Sequence, residues 1–166
     1  MSNLHFGERR YWQDFAKYFP LLLFGFALLL RVVLVFRLET YSSPYHLSEH
    51  VQIANHILNG KGYSFNWYGL GDAGEGSFMP PPYVAIVLVA KVLFPATPWL
   101  VIQIFQALLS AWVAMATYFI GKEIFSELTG MIASFLVAVY PPFLGYVLDI
   151  QTVVWETFWV VLSVLA

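Results

Sequence analysis

Three residues near position 50 carry the chain's clearest chemical pattern: His46-Leu47-Ser48-Glu49-His50 reads His-x-x-Glu-His. On a helix that spacing sets both histidines and the glutamate on one face, because residues three and four apart are surface neighbours. In the inverted zinc-hydrolase motif the two histidines hold a metal and the glutamate activates water. No third ligand is evident, however, and a five-residue pattern arises readily by chance. The plainer reading is preferred: these polar groups form the wet face of an amphipathic helix lying on a membrane. Three further charges stand in apolar surroundings. Arg31 lies about two turns inside the first apolar run, where a guanidinium needs a partner. Asp149 ends the third run, where water reaches a carboxylate easily. Glu156 falls within an apolar helix, so it either faces a cavity or stays protonated.

The elements that must position these groups belong to a membrane protein. The sequence is 60% hydrophobic, 19% aromatic and only 11% charged over 166 residues, far from the average of soluble domains. Its net charge of −2, with scattered basic residues, offers no stripe for neutralising phosphates, so no nucleic acid is expected as a partner. With no cysteine there is neither a disulfide nor a thiolate metal site. Residues 19–38 form a first transmembrane helix, uncleaved because no small-residue processing site follows it. Residues 99–120 and 128–148 form the second and third, and 152–166 begins a fourth, cut short inside what should be a membrane helix.

Between the first two spans, residues 39–98 collect most of the glycine, proline and polar residues, whose backbone groups lipid could not satisfy. This large loop carries two interfacial helices, 44–59 and 82–94. Ser43-Pro44 opens the first and Gly60 stops it, with Leu47, Val51, Ala54 and Leu58 on one face. The stretch from Gly60 to Gly76 has no stable periodicity and reads as a flexible loop. Residues 82–94 are too short to span and are bracketed by prolines. Arg9, Arg10 and Lys17 in the N-terminal segment 1–18, and Lys122 in the turn 121–127, then fall together on the cytoplasmic side, which places the loop outside. The expected architecture is all-α and integral to the membrane, with about four transmembrane helices and a large extracytoplasmic loop. Trp67, Tyr68, Tyr83 and Trp99 suit an interfacial aromatic belt better than a sugar-stacking surface.

The order of motifs resembles the C-type membrane glycosyltransferases that use polyprenyl-phosphate-linked sugars, the superfamily of protein mannosyltransferases and lipid A aminoarabinose transferases. The pieces are Leu30-Arg31, then Ile53-Ala54-Asn55-His56-Ile57-Leu58-Asn59-Gly60-Lys61-Gly62-Tyr63, then Pro81-Pro82-Tyr83. Tyr118 to Phe125 resembles the family's basic cytoplasmic turn, and Tyr140-Pro141 with Thr152 to Glu156 its third and fourth helices, so that the likeness covers the N-terminal portion of such an enzyme. It implies a polyprenyl-phosphate-linked sugar as donor, membrane lipid as surroundings, and a loop carboxylate that takes the acceptor's proton. A divalent cation or an arginine would stabilise the leaving phosphate. The family's loop aspartate falls here on His46, so Glu49, one turn later, becomes the candidate base, with His46 or His50 orienting it or binding a metal. Arg31, Lys61, Tyr83, Asp149 and Glu156 are the substrate-binding candidates, and no metal site is assigned from sequence. The bacterial inner membrane is the expected location. A second reading follows from the missing aspartate and the short chain: a catalytically inactive relative serving as accessory subunit of a larger membrane complex, packed through aromatic-rich helices.

Overall fold

A computed structural model describes residues 4–38, 48–66, 72–73 and 79–166. It consists of helices, with one two-residue strand pair among the described residues. In chain order these are α1 (Leu4–Leu38), α2 (Glu49–Leu58), β1 (Phe65–Asn66), β2 (Asp72–Ala73), α3 (Pro81–Leu93), α4 (Pro98–Ile124), α5 (Glu127–Val139), α6 (Pro141–Leu148) and α7 (Val153–Leu165).

Two helices are long and apolar enough to cross a bilayer, Phe15–Leu38 within α1 and the whole of α4. A third crossing is reached if α5 and α6, bent by 45°, count as one span. Where the start of a fourth was expected, α7 is an apolar helix of 13 residues, which rise about 20 Å against a hydrocarbon layer of ~30 Å. The bend has a local cause. Pro141 disfavours helical geometry at the residue before it, and Tyr140 sits at φ −64°, ψ 116°. Pro141 then opens α6 at its first turn, where a missing N–H costs nothing.

The helices α1, α5, α6 and α7 each pack against α4. Phe19 of α1 meets Tyr118 of α4 at 5.4 Å between ring centroids, whereas Arg31 reaches Ser110. Trp112 and Phe158 bring α7 alongside α4 at 4.8 Å. Small residues line the seam, with Ala27, Ala111, Ala114 and Ala138 in one buried cluster, as close helix approach in lipid requires.

The start of α4 carries a separate cap. Val51, Ile53 and Ala54 of α2, Phe65 of β1, and Tyr83, Val84, Val87 and Ala90 of α3 share a core with Ile102 and Ile150. The buried stripe of α2 includes His50 and Ile53, while Leu58, expected on that stripe, lies half-exposed in the last turn. Gly60 ends α2 at φ +73°, a left-handed conformation that glycine adopts freely. There the N–H of Gly60 bonds Ile57 O and that of Lys61 bonds His56 O, closing a Schellman motif. The pairing of Phe65 with Ala73 and of Asn66 with Asp72 interrupts the stretch expected to be irregular throughout. Burial of Phe65 in the cap core fixes the foot of this pairing, and no alternating pattern announces it. Ser43, Pro44 and Leu47, expected to open the first cap helix, lie outside the described residues, as do Trp67 and Tyr68.

Candidate functional site

The first turn of α2, the first turn of α3 and the link from α6 to α7 converge at the cap end of the bundle. Ser48 donates its hydroxyl to Ile150 O at 3.2 Å, tying the start of α2 to that link. His50 sits beneath it, 7% exposed, with its ring edge-on to Tyr83 at 4.9 Å. Burial holds the His50 imidazole below its ordinary value, and the negative charge of Glu156 partly opposes the shift. Tyr83 is pushed up by burial and by the charge of Asp149, so its phenol stays protonated and acts as a donor. The charge of Asp149 thus acts on the buried phenol and that of Glu156 on the buried imidazole, while Glu49 precedes His50 in the first turn of α2. Glu156 occupies the exposed first turn of α7. As expected it lies inside the apolar helix, within the first turn, where the amide end of a helix favours a carboxylate.

Gln106 of α4 is the joint underneath. Its carboxamide oxygen accepts from Tyr83 Oη at 3.1 Å, and its nitrogen donates to Tyr146 O at 2.8 Å and Asp149 O at 2.9 Å. Gln103 donates to Leu148 O at 2.8 Å. The last carbonyls of α6, which have no helical partners, are satisfied in this way. Asp149 is itself held, with Oδ1 accepting from Ile150 N at 2.9 Å and Oδ2 from Gln151 Nε2 at 2.7 Å. Sequence reasoning passed over Gln103, Gln106 and Ser110. Their signal was present: three polar residues on one helical face of an uncharged span must each find a partner.

Not every expected residue joins this group. Arg31 is fully buried in the bundle, with Nε donating to Ser110 Oγ at 2.8 Å and Nη1 to Ala27 O at 2.9 Å and Ala138 O at 3.1 Å. Lys61 is exposed beyond the opposite end of α2, about 15 Å of helix away from Glu49. His46 lies outside the described residues. Among the described residues no three histidine or carboxylate groups converge as metal ligands, and both Asp149 oxygens are already engaged. That donor set does not fit a divalent cation.

Residues 44–147, more than half of the chain, match the family model of oligosaccharyl transferase STT3, N-terminal. The chain belongs to this family. Its membership supports a glycosyltransferase-like function in a membrane and agrees with the apolar spans, so the resemblance to membrane glycosyltransferases holds at the level of the superfamily. The STT3 match spans α2, α3, α4, α5 and most of α6, and so takes in Glu49, His50, Tyr83, Gln103 and Gln106. Asp149 and Glu156 lie just past its end. No curated protein and no solved structure matches the chain.

Proposed function

We propose that the chain serves transfer of a sugar from a polyprenyl-phosphate donor to an extracytoplasmic acceptor, with Glu49 as the base. The observation that carries this reading is the approach of Asp149 to buried Tyr83 and of Glu156 to buried His50, with Glu49 preceding His50 in the first turn of α2, at the end of the bundle where the cap meets the spans. In the reaction the acceptor oxygen bonds the anomeric carbon, the bond from that carbon to the phosphate oxygen breaks, and the phosphate leaves with the electron pair. Glu49 takes the acceptor proton, while neighbouring carboxylates oppose the positive charge developing on the sugar.

An open apolar groove of about 370 Å³ between α3 and α4, lined by Ala85, Ile86, Val89, Val101 and Phe105, supports a lipid-linked donor. Lys91 stands on α3, its ammonium 5.1 Å from the Trp99 ring centroid, and supplies positive charge for a phosphate. On this reading the N-terminus and the Lys122 turn face the cytoplasm and the cap faces outward, across a bacterial inner membrane with two or three crossings in the described residues. Glu49→Gln is expected to abolish sugar transfer by purified protein while leaving membrane insertion intact, and unchanged transfer would remove Glu49 from the mechanism.

A second reading is favoured by one feature, the engagement of both Asp149 oxygens by its neighbours Ile150 and Gln151. In it the chain is a catalytically silent accessory subunit. Apolar faces such as that of Trp159, Val160 and Val164 would pack against partner helices. Stoichiometric copurification with other membrane proteins, together with absence of transfer by the wild-type chain, is its signature.

A further inference from the structure

A guanidinium in the middle of a helical bundle must find acceptors within reach, because lipid offers none and an unpaired buried charge is costly. Arg31 has no carboxylate partner among the described residues and relies on a hydroxyl and two carbonyls. One of those carbonyls is unusual. In an uninterrupted helix Ala138 O would accept from the residue four places on, and that residue is Pro142, which has no N–H. The proline pair therefore creates an orphan carbonyl at the end of α5, and Arg31 Nη1 reaches it at 3.1 Å from another helix. The negative end of the α5 dipole lies at the same point and suits a cation.

At Arg31 the donor is also clamped from behind, since Nε is bonded to Ser110 of α4. One guanidinium therefore joins α1, α4 and the break between α5 and α6. The segment beyond that break runs directly to Asp149.

We propose that Arg31 is a positioning residue that fixes the proline break in the third span and so sets where α6 delivers Asp149 against α2 and α3. Its bearing on sugar transfer rests on the reading of Asp149 as part of the site, whereas the clamp itself does not.

The chain has no cysteine, so a pair introduced at Ser48 and Gln151 reports the position of the link without background. These positions are neighbours because Ser48 Oγ touches Ile150 O. In the full-length protein in proteoliposomes, Arg31→Met is expected to cut the yield of a short thiol cross-link several-fold. Arg31→Lys, which keeps the charge but cannot bridge Ser110 and Ala138 together, is expected to give an intermediate loss, and it carries the test if Arg31→Met does not accumulate. The decisive arm repeats either change in a Pro141→Ala/Pro142→Ala background, where Ala138 O regains an N–H partner. There the Arg31 substitution should lower cross-linking and Tm by less than half of what it does in the parent. Equal losses in both backgrounds, or cross-linking indifferent to Arg31, overturn the clamp. Sugar transfer is not part of this readout: a clamp found in a protein that never transfers sugar stands while the glycosyltransferase reading falls, and the reverse outcome separates them equally.

Discussion

At Gly121, α4 meets α5 backbone to backbone, whereas at Gln106, about four turns nearer its start, it meets the end of α6 through a carboxamide. The first contact needs no polar partner and leaves no room. The second is directional, since three bonds through one side chain set the α3 start and the Asp149 link relative to each other. A rigid hairpin at one end and an adjustable polar joint at the other is the arrangement a site at the cap end would use. The sharpest way to break the comparison is Gly130→Ala. An added Cβ would lie 2.6 Å from Tyr118 O and 2.8 Å from Lys122 N, both backbone atoms that cannot swing aside. The cost should reach on the order of 3 kcal/mol, the upper end for overpacking, read as a lowered Tm in detergent micelles. Gly145→Ala meets nothing within 4 Å and is the matched control. Equal Tm values for the two variants would show that the hairpin is not close-packed.

A smaller effect is expected at the polar joint. Gln106→Leu strips the partners from Tyr146 O, Asp149 O and the Tyr83 hydroxyl together. Unsatisfied buried groups cost about 1–3 kcal/mol each, but hydrogen bonds between membrane helices average nearer ~0.6 kcal/mol, so a total of about 2 kcal/mol is expected. Gln106→Glu should fare no better, because a carboxylate accepts from Tyr83 but cannot donate to the two carbonyls. Tm measured for both variants checks this, and a glutamate variant as stable as the parent would mean that the donated bonds hold nothing.

The same contrast explains what the sequence made legible. Apolar runs of spanning length marked α1 and α4 because lipid imposes a length and a composition that can be counted. Pro141-Pro142 stood in plain view and bend the span locally, yet the donor that reaches Ala138 O comes from a helix more than 100 positions away. Glu49 and His50 could be singled out by helical spacing. Spacing could not show that His50 turns inward against Tyr83 of another helix, nor that Asp149 is held by its own neighbours. Gly121 and Gly130 are two glycines among 11, and only their mutual approach across the hairpin distinguishes them.

The smallest effect separates the two ends by pH. His50 is buried against Tyr83 of α3, with Glu49 beside it on α2, Asp149 in the link and Glu156 on α7 as the nearby carboxylates. Its folded value lies below the ordinary 6.5, with burial outweighing the attraction of Glu156. The unfolded chain therefore binds this proton more readily than the folded one. The stability associated with neutral His50 is whole above pH 6.5 and is lost as the pH falls from there through the depressed folded value. Tm followed from pH 8 to pH 5 should show this loss in the parent and lose that component in His50→Leu. The Gly145→Ala control, far from any imidazole in the chain's order, should keep it. An identical acid slope in His50→Leu would assign the titration to another group and leave the cap end no more sensitive to protons than the hairpin.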